Sequence, residues 1–143
     1  MKLILNDKNK YILAVSKGEE IREQLKLLCE TRKIEAAYFS MIGAVNDLEL
    51  WWYDILKKRY KKKTFAEQLE IVSMMGNVGV LKEEIVIHTH GTFSDKNYKV
   101  YGGHVNYGVV SGACEVVLEK IDGKIIREYD EEAGLNLMCQ TVV

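Results

Sequence analysis

The stretch IVIHTHGTFSDKNYKVYGGHVNY, residues 85–107, holds all three histidines of the chain: His88, His90 and His104. Its first half is rich in strand formers, and residues two apart on a strand point to the same face. His88 and His90 would therefore project side by side, about 6.5–7 Å apart. Ser94-Asp95-Lys96-Asn97 is a turn cluster, so the segment reads as a β-hairpin. A three-residue loop at 95–97 would set residue 104 opposite residue 88, and opposed residues of an antiparallel pair share a face. All three imidazoles would then converge. A two-residue turn at 95–96 or 96–97 would shift the register by one and send His104 to the other face. A β-bulge at Gly102-Gly103 would shift it again. Three neutral imidazoles with an open fourth position form a catalytic-type zinc site. The plain alternative is three scattered polar side chains at or near the surface.

Outward from the hairpin, strand signals dominate. Residues 11–15 read as a short buried strand, and Ser16-Lys17-Gly18-Glu19 is a capping-box pattern that places a helix start near residue 17. Ile21, Leu25, Leu28 and Cys29 recur on one helical face, and Arg32 and Lys33 suit its C-terminal end. Residues 35–42 look like a strand that Gly43 turns or bulges. Leu48 to Tyr53 is another, followed by a hairpin across Leu56-Lys57-Lys58 that returns through Tyr60 to Thr64. Leu69 to Met75 and Val78-Gly79-Val80 precede the histidine hairpin. Val109 to Lys120 reads as a long strand, and Asp122-Gly123 as a two-residue turn from which residues 125–129 would pair back. One helix with seven or eight strands and no internal repeat is an α+β fold, mostly antiparallel sheet packed with one main helix.

A chain of 143 residues fits a single domain over 1–143 with an ordinary core. A net charge of −1 gives no whole-molecule reason to expect nucleic acid. No apolar run reaches the length of a membrane span, and the opening MKLILNDKNK is too quickly polar for a signal peptide, so a cytoplasmic location is expected. Cys29, Cys114 and Cys139 are odd in number and form no C-x-x-C pair. Cys29 and Cys114 read as small buried hydrophobes rather than ligands or disulfide partners.

The segments KGEEIREQLKLLCETRKIEAAYFSMIGAV, LEIVSMMGNV, HTHGTFSDKNYKVYGGHV and GVVSGACEVVLEKIDG resemble the PPC (plant and prokaryote conserved) domain family in order and spacing, over roughly residues 10–122. The GGHV segment after an H-x-H strand is the most specific part. The resemblance implies a compact α+β domain related in fold to acetolactate decarboxylase and assembled as a homotrimer. It implies a metal, typically Zn²⁺, held by His88, His90 and His104, which selects the register that brings all three together. It also implies DNA binding, since bacterial and archaeal members are often labelled DNA-binding proteins. The chain departs from the family in two places. It has no proline and hence no AT-hook, the minor-groove element of plant members. The usual His-Leu-His-Ala reads His88-Thr89-His90-Gly91 here.

Zinc on three histidines leaves one position for water or a small anionic ligand, and bound water at a zinc titrates near neutral pH. Hydrolysis or decarboxylation would also need a general acid or base. Glu70, in Leu-Glu-Ile-Val-Ser, matches a glutamate of the family pattern and is the catalytic candidate; its structural alternative is a strand-edge charge or a partner orienting a histidine. Glu49 and Glu115 are weaker candidates. Lys57, Lys58, Arg59, Lys61, Lys62 and Lys63 pack six positive charges into seven residues; removing them from a net −1 leaves −7 on the rest. With Tyr60 among them they form a candidate phosphate-contacting patch, which a trimer would present three times. A solvated hairpin tip is the alternative. Trp51-Trp52-Tyr53 places large aromatics on both faces of one strand, one ring for the core and one for a subunit interface. Three functions follow as expectations: a cytoplasmic homotrimeric zinc protein for small-ligand binding or regulation, a DNA-binding regulator, and a zinc hydrolase or decarboxylase.

Overall fold

In the computed structural model, residues 1–139 are described. The chain runs β1 (Lys2–Asp7), β2 (Lys10–Ser16), α1 (Ile21–Arg32), β3 (Ala37–Asp54), β4 (Arg59–Phe65), β5 (Leu69–Leu81), β6 (Glu84–Ser94), β7 (Val100–Lys120), β8 (Arg127–Asp130) and β9 (Leu135–Met138). The first seven strands form one sheet in the order β1-β2-β7-β6-β5-β3-β4, and β7 also pairs with β3. That extra pairing closes β3, β5, β6 and β7 into a ring, all antiparallel. Ring closure gives these strands partners on both edges over part of their length, His90–Ser94 of β6 among them, which is one way a β protein limits edge-to-edge association. The described residues thus form antiparallel sheet with one helix, which is not long and apolar enough to cross a membrane.

The inside of the ring is filled by Phe39, Leu48, Leu69, Met74, Phe93 and Leu118, each essentially without solvent exposure. Ile21, Leu25 and Cys29 bring the apolar stripe of α1 onto this core, with Leu28 packed at its margin. Burial pushes the thiols of Cys29 and Cys114 up to about 12, so both are inert apolar fillers. Gly43 makes the expected bulge on β3, where the register shifts on both sides of it. A Cβ there would lie 2.3 Å from the Ala113 carbonyl oxygen, so the close approach requires glycine.

Four expectations are corrected. The helix starts at Ile21, not near 17, and its N-cap is Glu20, whose carboxylate accepts from the Glu23 N–H at 2.6 Å. Pairing with β7 delays it: Gly18 N donates to the Val110 carbonyl at 2.9 Å, and Glu20 bridges to Val109, holding the chain extended. Glu19 does accept from Ser16 N, at 2.7 Å, but closes the preceding turn. Second, β3 is one 18-residue strand where two were expected. Third, residues 125–129 do not pair back onto β7, because β2 and β3 already occupy both edges of its second half. β8 instead pairs with β9, tied to the barrel by a parallel bridge from Ile126 to Val80. Fourth, Lys2–Asp7, read only as a polar N-terminus, is a strand that pairs with β2.

Candidate metal centre and the cleft beside it

β6 alternates cleanly. Ile87, Thr89, Gly91 and Phe93 face the core, while His88, His90 and Thr92 face outward. Thr89, buried inside, satisfies its hydroxyl by donating to the Met75 carbonyl at 2.9 Å. The loop to β7 is Asp95–Lys99, held by Asp95, whose Oδ1 accepts from Asn97 N at 2.8 Å and Lys99 N at 3.0 Å. It is five residues long rather than three, so His104 pairs with His90 and not with His88. Both loop lengths are odd, so the face is unchanged and the three rings still meet. Gly102 and Gly103 carry no bulge; the register of β7 against β3 slips instead at Asn106, between Glu49↔Tyr107 and Leu50↔Val105. The glycines serve contact: a Cβ on Gly103 would meet the Trp51 carbonyl at 2.9 Å.

The ring centroids of His88, His90 and His104 are 5.2–5.3 Å apart, and one nitrogen from each lies within 4.8 Å of the others. Zn–N bonds of about 2.0–2.1 Å in a tetrahedron put nitrogens about 3.3 Å apart, so modest ring rotation reaches ligating geometry. Charge state fits as well. Burial first, then the Arg127, His90 and Arg22 charges, pushes His88 down to about 4. Burial first, then His88, His90 and Arg22, pushes His104 down to about 4 as well. His90 is lowered by burial. At neutral pH the cluster therefore offers lone pairs, as a metal requires. Zinc held by these three rings would act as a Lewis acid with a fourth position open.

Trp51 stacks on His104 at 5.8 Å, and Tyr60 stands 5.9 Å from the same ring. Lys62 lies over the other side of the wall, 4.5 Å from the Trp51 ring. Glu49 is committed to this wall: its Oε1 accepts from Trp51 Nε1 at 2.6 Å and from Asn106 Nδ2 at 2.8 Å. A cleft of about 360 Å³ opens beside His88 and His104, roofed by the β8–β9 hairpin. Tyr53 pins that hairpin by donating to the Ala133 carbonyl at 2.8 Å, and Lys58 Nζ by donating to the Glu131 carbonyl at 2.6 Å. Arg127 of the roof reaches His88: Nη2 is 3.4 Å from Nδ1.

Glu70 is not brought to the histidines. It is exposed, pairs with Ser94, and so sits four residues along β6 from His90, about 13 Å at strand rise. Glu115 shares a separate shallow hollow with it, beside Ile42 and Val72. The basic run follows β4, paired with β3 on one side, where Lys61, Lys62 and Lys63 lie over Trp52, Trp51 and Phe65. Arg22 and Arg127, both at the cleft, went unnoticed in the sequence, where each stands among other charged residues and neither belongs to a motif.

The depressed histidines set an acid sensitivity. Between about 6.5 and about 4 the unfolded chain binds protons that folded His88 and His104 refuse. Folding stability of the metal-free protein should therefore fall as pH drops through that window. Urea unfolding at pH 7 and pH 5 should show it, and the His88→Gln, His104→Gln double variant should lose less on acidification than the wild type. An equal loss would place the sensitivity elsewhere.

Comparison with known proteins places this architecture. The family model for the Plants and Prokaryotes Conserved (PCC) domain matches residues 4–122. A crystal structure from Bacteroides thetaiotaomicron, described as a "putative dna binding protein", superposes with a TM-score of 0.91 at 32% identity, covering 94% of each chain. A metal-containing protein from Archaeoglobus fulgidus superposes at 0.88 with 34% identity, covering 98% of this chain and 100% of that one. Acetolactate decarboxylase from Bacillus subtilis shares the fold alone, with a TM-score of 0.55 at 13% identity over 85% of this chain and 57% of its own. No curated protein matches.

Proposed function

The chain belongs to the Plants and Prokaryotes Conserved domain family, and on that premise we propose that it is a cytoplasmic homotrimer that holds zinc at His88, His90 and His104 and serves small-ligand binding or regulation. The observation that carries this reading is the convergence of three neutral imidazoles within 4.8 Å beside a cleft. The metal-containing Archaeoglobus relative supports it. Metal analysis of purified, untagged protein should find one equivalent of zinc per chain. No metal, even after zinc is supplied, would sink the reading.

The trimer is supported by the outer face of the sheet, where Tyr38, Ile42, Val72, Met75 and Val117 remain 47–56% exposed. Register makes this one patch, since Ser40 between them pairs with both Met75 and Val117. Contiguous exposed apolar surface marks an interface. Light scattering should give three times the 16.4 kDa chain mass, and Val117→Asp should shift it toward the single chain. A wild-type monomer at micromolar concentration would overturn the assignment.

A second reading, DNA binding, is favoured by the basic run on β4 and by the Bacteroides relative. It predicts affinity that falls steeply with salt. Replacing Lys61, Lys62 and Lys63 with alanine together should abolish binding in a gel-shift titration; unchanged binding would exclude this surface.

A further inference from the structure

Two arginines flank the cleft, and among the described residues no carboxylate lines it. Arg22, in the first turn of α1, gives Nη1 to the Asn106 carbonyl and, at 3.4 Å, to Asn106 Oδ1, and Nη2 to the Ile87 carbonyl at 3.2 Å. Arg127 gives Nη1 to the Asn136 carbonyl at 3.1 Å and Nη2 to Asn77 Oδ1 at 2.7 Å and to His88. The Nε of each is buried and has no hydrogen-bond partner. Among the described residues neither guanidinium has an acidic partner. Arg127 keeps only 6% of its exposure. A buried cation served by neutral groups alone is costly, by several kcal/mol per ion, and buried charges are ordinarily paired. Arg127 buried and Arg22 half-buried on one cleft, with Trp51 and Tyr60 as a flat apolar wall, leave the place of an anion open.

We propose that the cleft binds a small oxyanion, the carboxylate or phosphate group of an otherwise apolar molecule, with Arg22 and Arg127 as its charge partners and Trp51 and Tyr60 against its body. The inference rests on the reading of this cleft as a ligand site and assigns the ligand's class; the arginines supply the charge whether or not a metal sits on the histidines.

Butyrate and phenyl phosphate are the probes, titrated calorimetrically at low salt into the EDTA-treated and the zinc-loaded protein, with zinc content measured in parallel. At least one probe should bind both forms. Arg22→Gln and Arg127→Gln should each weaken it about tenfold or more, the scale of a lost charge-assisted hydrogen bond. Tighter phenyl phosphate assigns a phosphate ester, tighter butyrate a carboxylic acid, and either upholds the site. If a glutamine variant fails to fold by circular dichroism, the charge-keeping Arg22→Lys and Arg127→Lys, which break the fork but not the charge, should bind with intermediate affinity. Anion binding in a protein that takes up no zinc upholds this site and removes the metal. Zinc uptake without binding of either probe, or arginine variants that bind as the wild type does, overturns it.

Discussion

His104→Ala should strip the protein of its metal and leave the barrel standing. His104 is the one histidine on β7, paired with His90 across the ladder and with Trp51 on its other side. Its side chain lies on the outer surface of the ring, so its loss opens no cavity among Phe39, Phe93 and Leu118. Two imidazoles on β6 would remain, and two neutral ligands without a carboxylate are a poor zinc site. Loss of a mere supporting partner of a ligand costs 10–100-fold in affinity, so loss of the ligand should cost more than about 100-fold. Competition against a chromogenic chelator measures this, with circular dichroism to confirm the fold. The metal-free variant should also resist acid better, because one of the three imidazoles that refuse protons is gone. Zinc affinity equal to wild type in His104→Ala would mean that the metal sits elsewhere.

What the sequence discloses about this site is governed by parity. The H-x-H spacing decides that His88 and His90 share a face, and any odd loop after Ser94 brings His104 to it. The pairing partner depends on loop length, and length is set by Asp95 gathering the N–H groups of Asn97 and Lys99; that is local side-chain chemistry, invisible to alternation. The helix face was legible because Ile21, Leu25 and Cys29 repeat at helical spacing, whereas its start was not, because a bridge from Glu20 to Val109 on a strand almost ninety positions away overrides the capping pattern. The failure at residues 125–129 has the same root. Asp122-Gly123 favours a hairpin locally, but both edges of β7 are taken, and only the closed topology reveals that. Arg22 and Arg127 meet at one cleft from α1 and β8, elements with no sequence relation, so their convergence is a property of the fold alone.

Gly76→Ala should do more damage than any other single added methyl group near the site. Gly76 lies on β5 opposite Thr89, between the pairs Asn77↔His88 and Met75↔His90. A Cβ there would fall 2.2 Å from the His88 carbonyl oxygen, 2.6 Å from Phe39 Cζ and 2.9 Å from Thr89 Cα. Two of the three are backbone, and the Phe39 ring is fully buried, so none can swing aside. Relief requires β6 to move away from β5. Overpacking of this kind costs about 1–3 kcal/mol and sometimes more, and the upper end applies where backbone must yield. Alanine would regain roughly 0.4–1 kcal/mol by restricting the unfolded chain, which is too little to reverse the sign. Gly112→Ala is the control: a Cβ there meets nothing within 4 Å, and stability should hold or rise slightly. Because His88 and His90 ride on β6 while His104 is fixed through β7 to β3, the displacement should also weaken zinc binding, although no ligand is altered. Urea midpoints and chelator competition on the two alanine variants test both consequences. A Gly76→Ala protein with the midpoint of the wild type would show that β5 and β6 are not in this contact, and the placement of the two histidines above it would have to be redrawn.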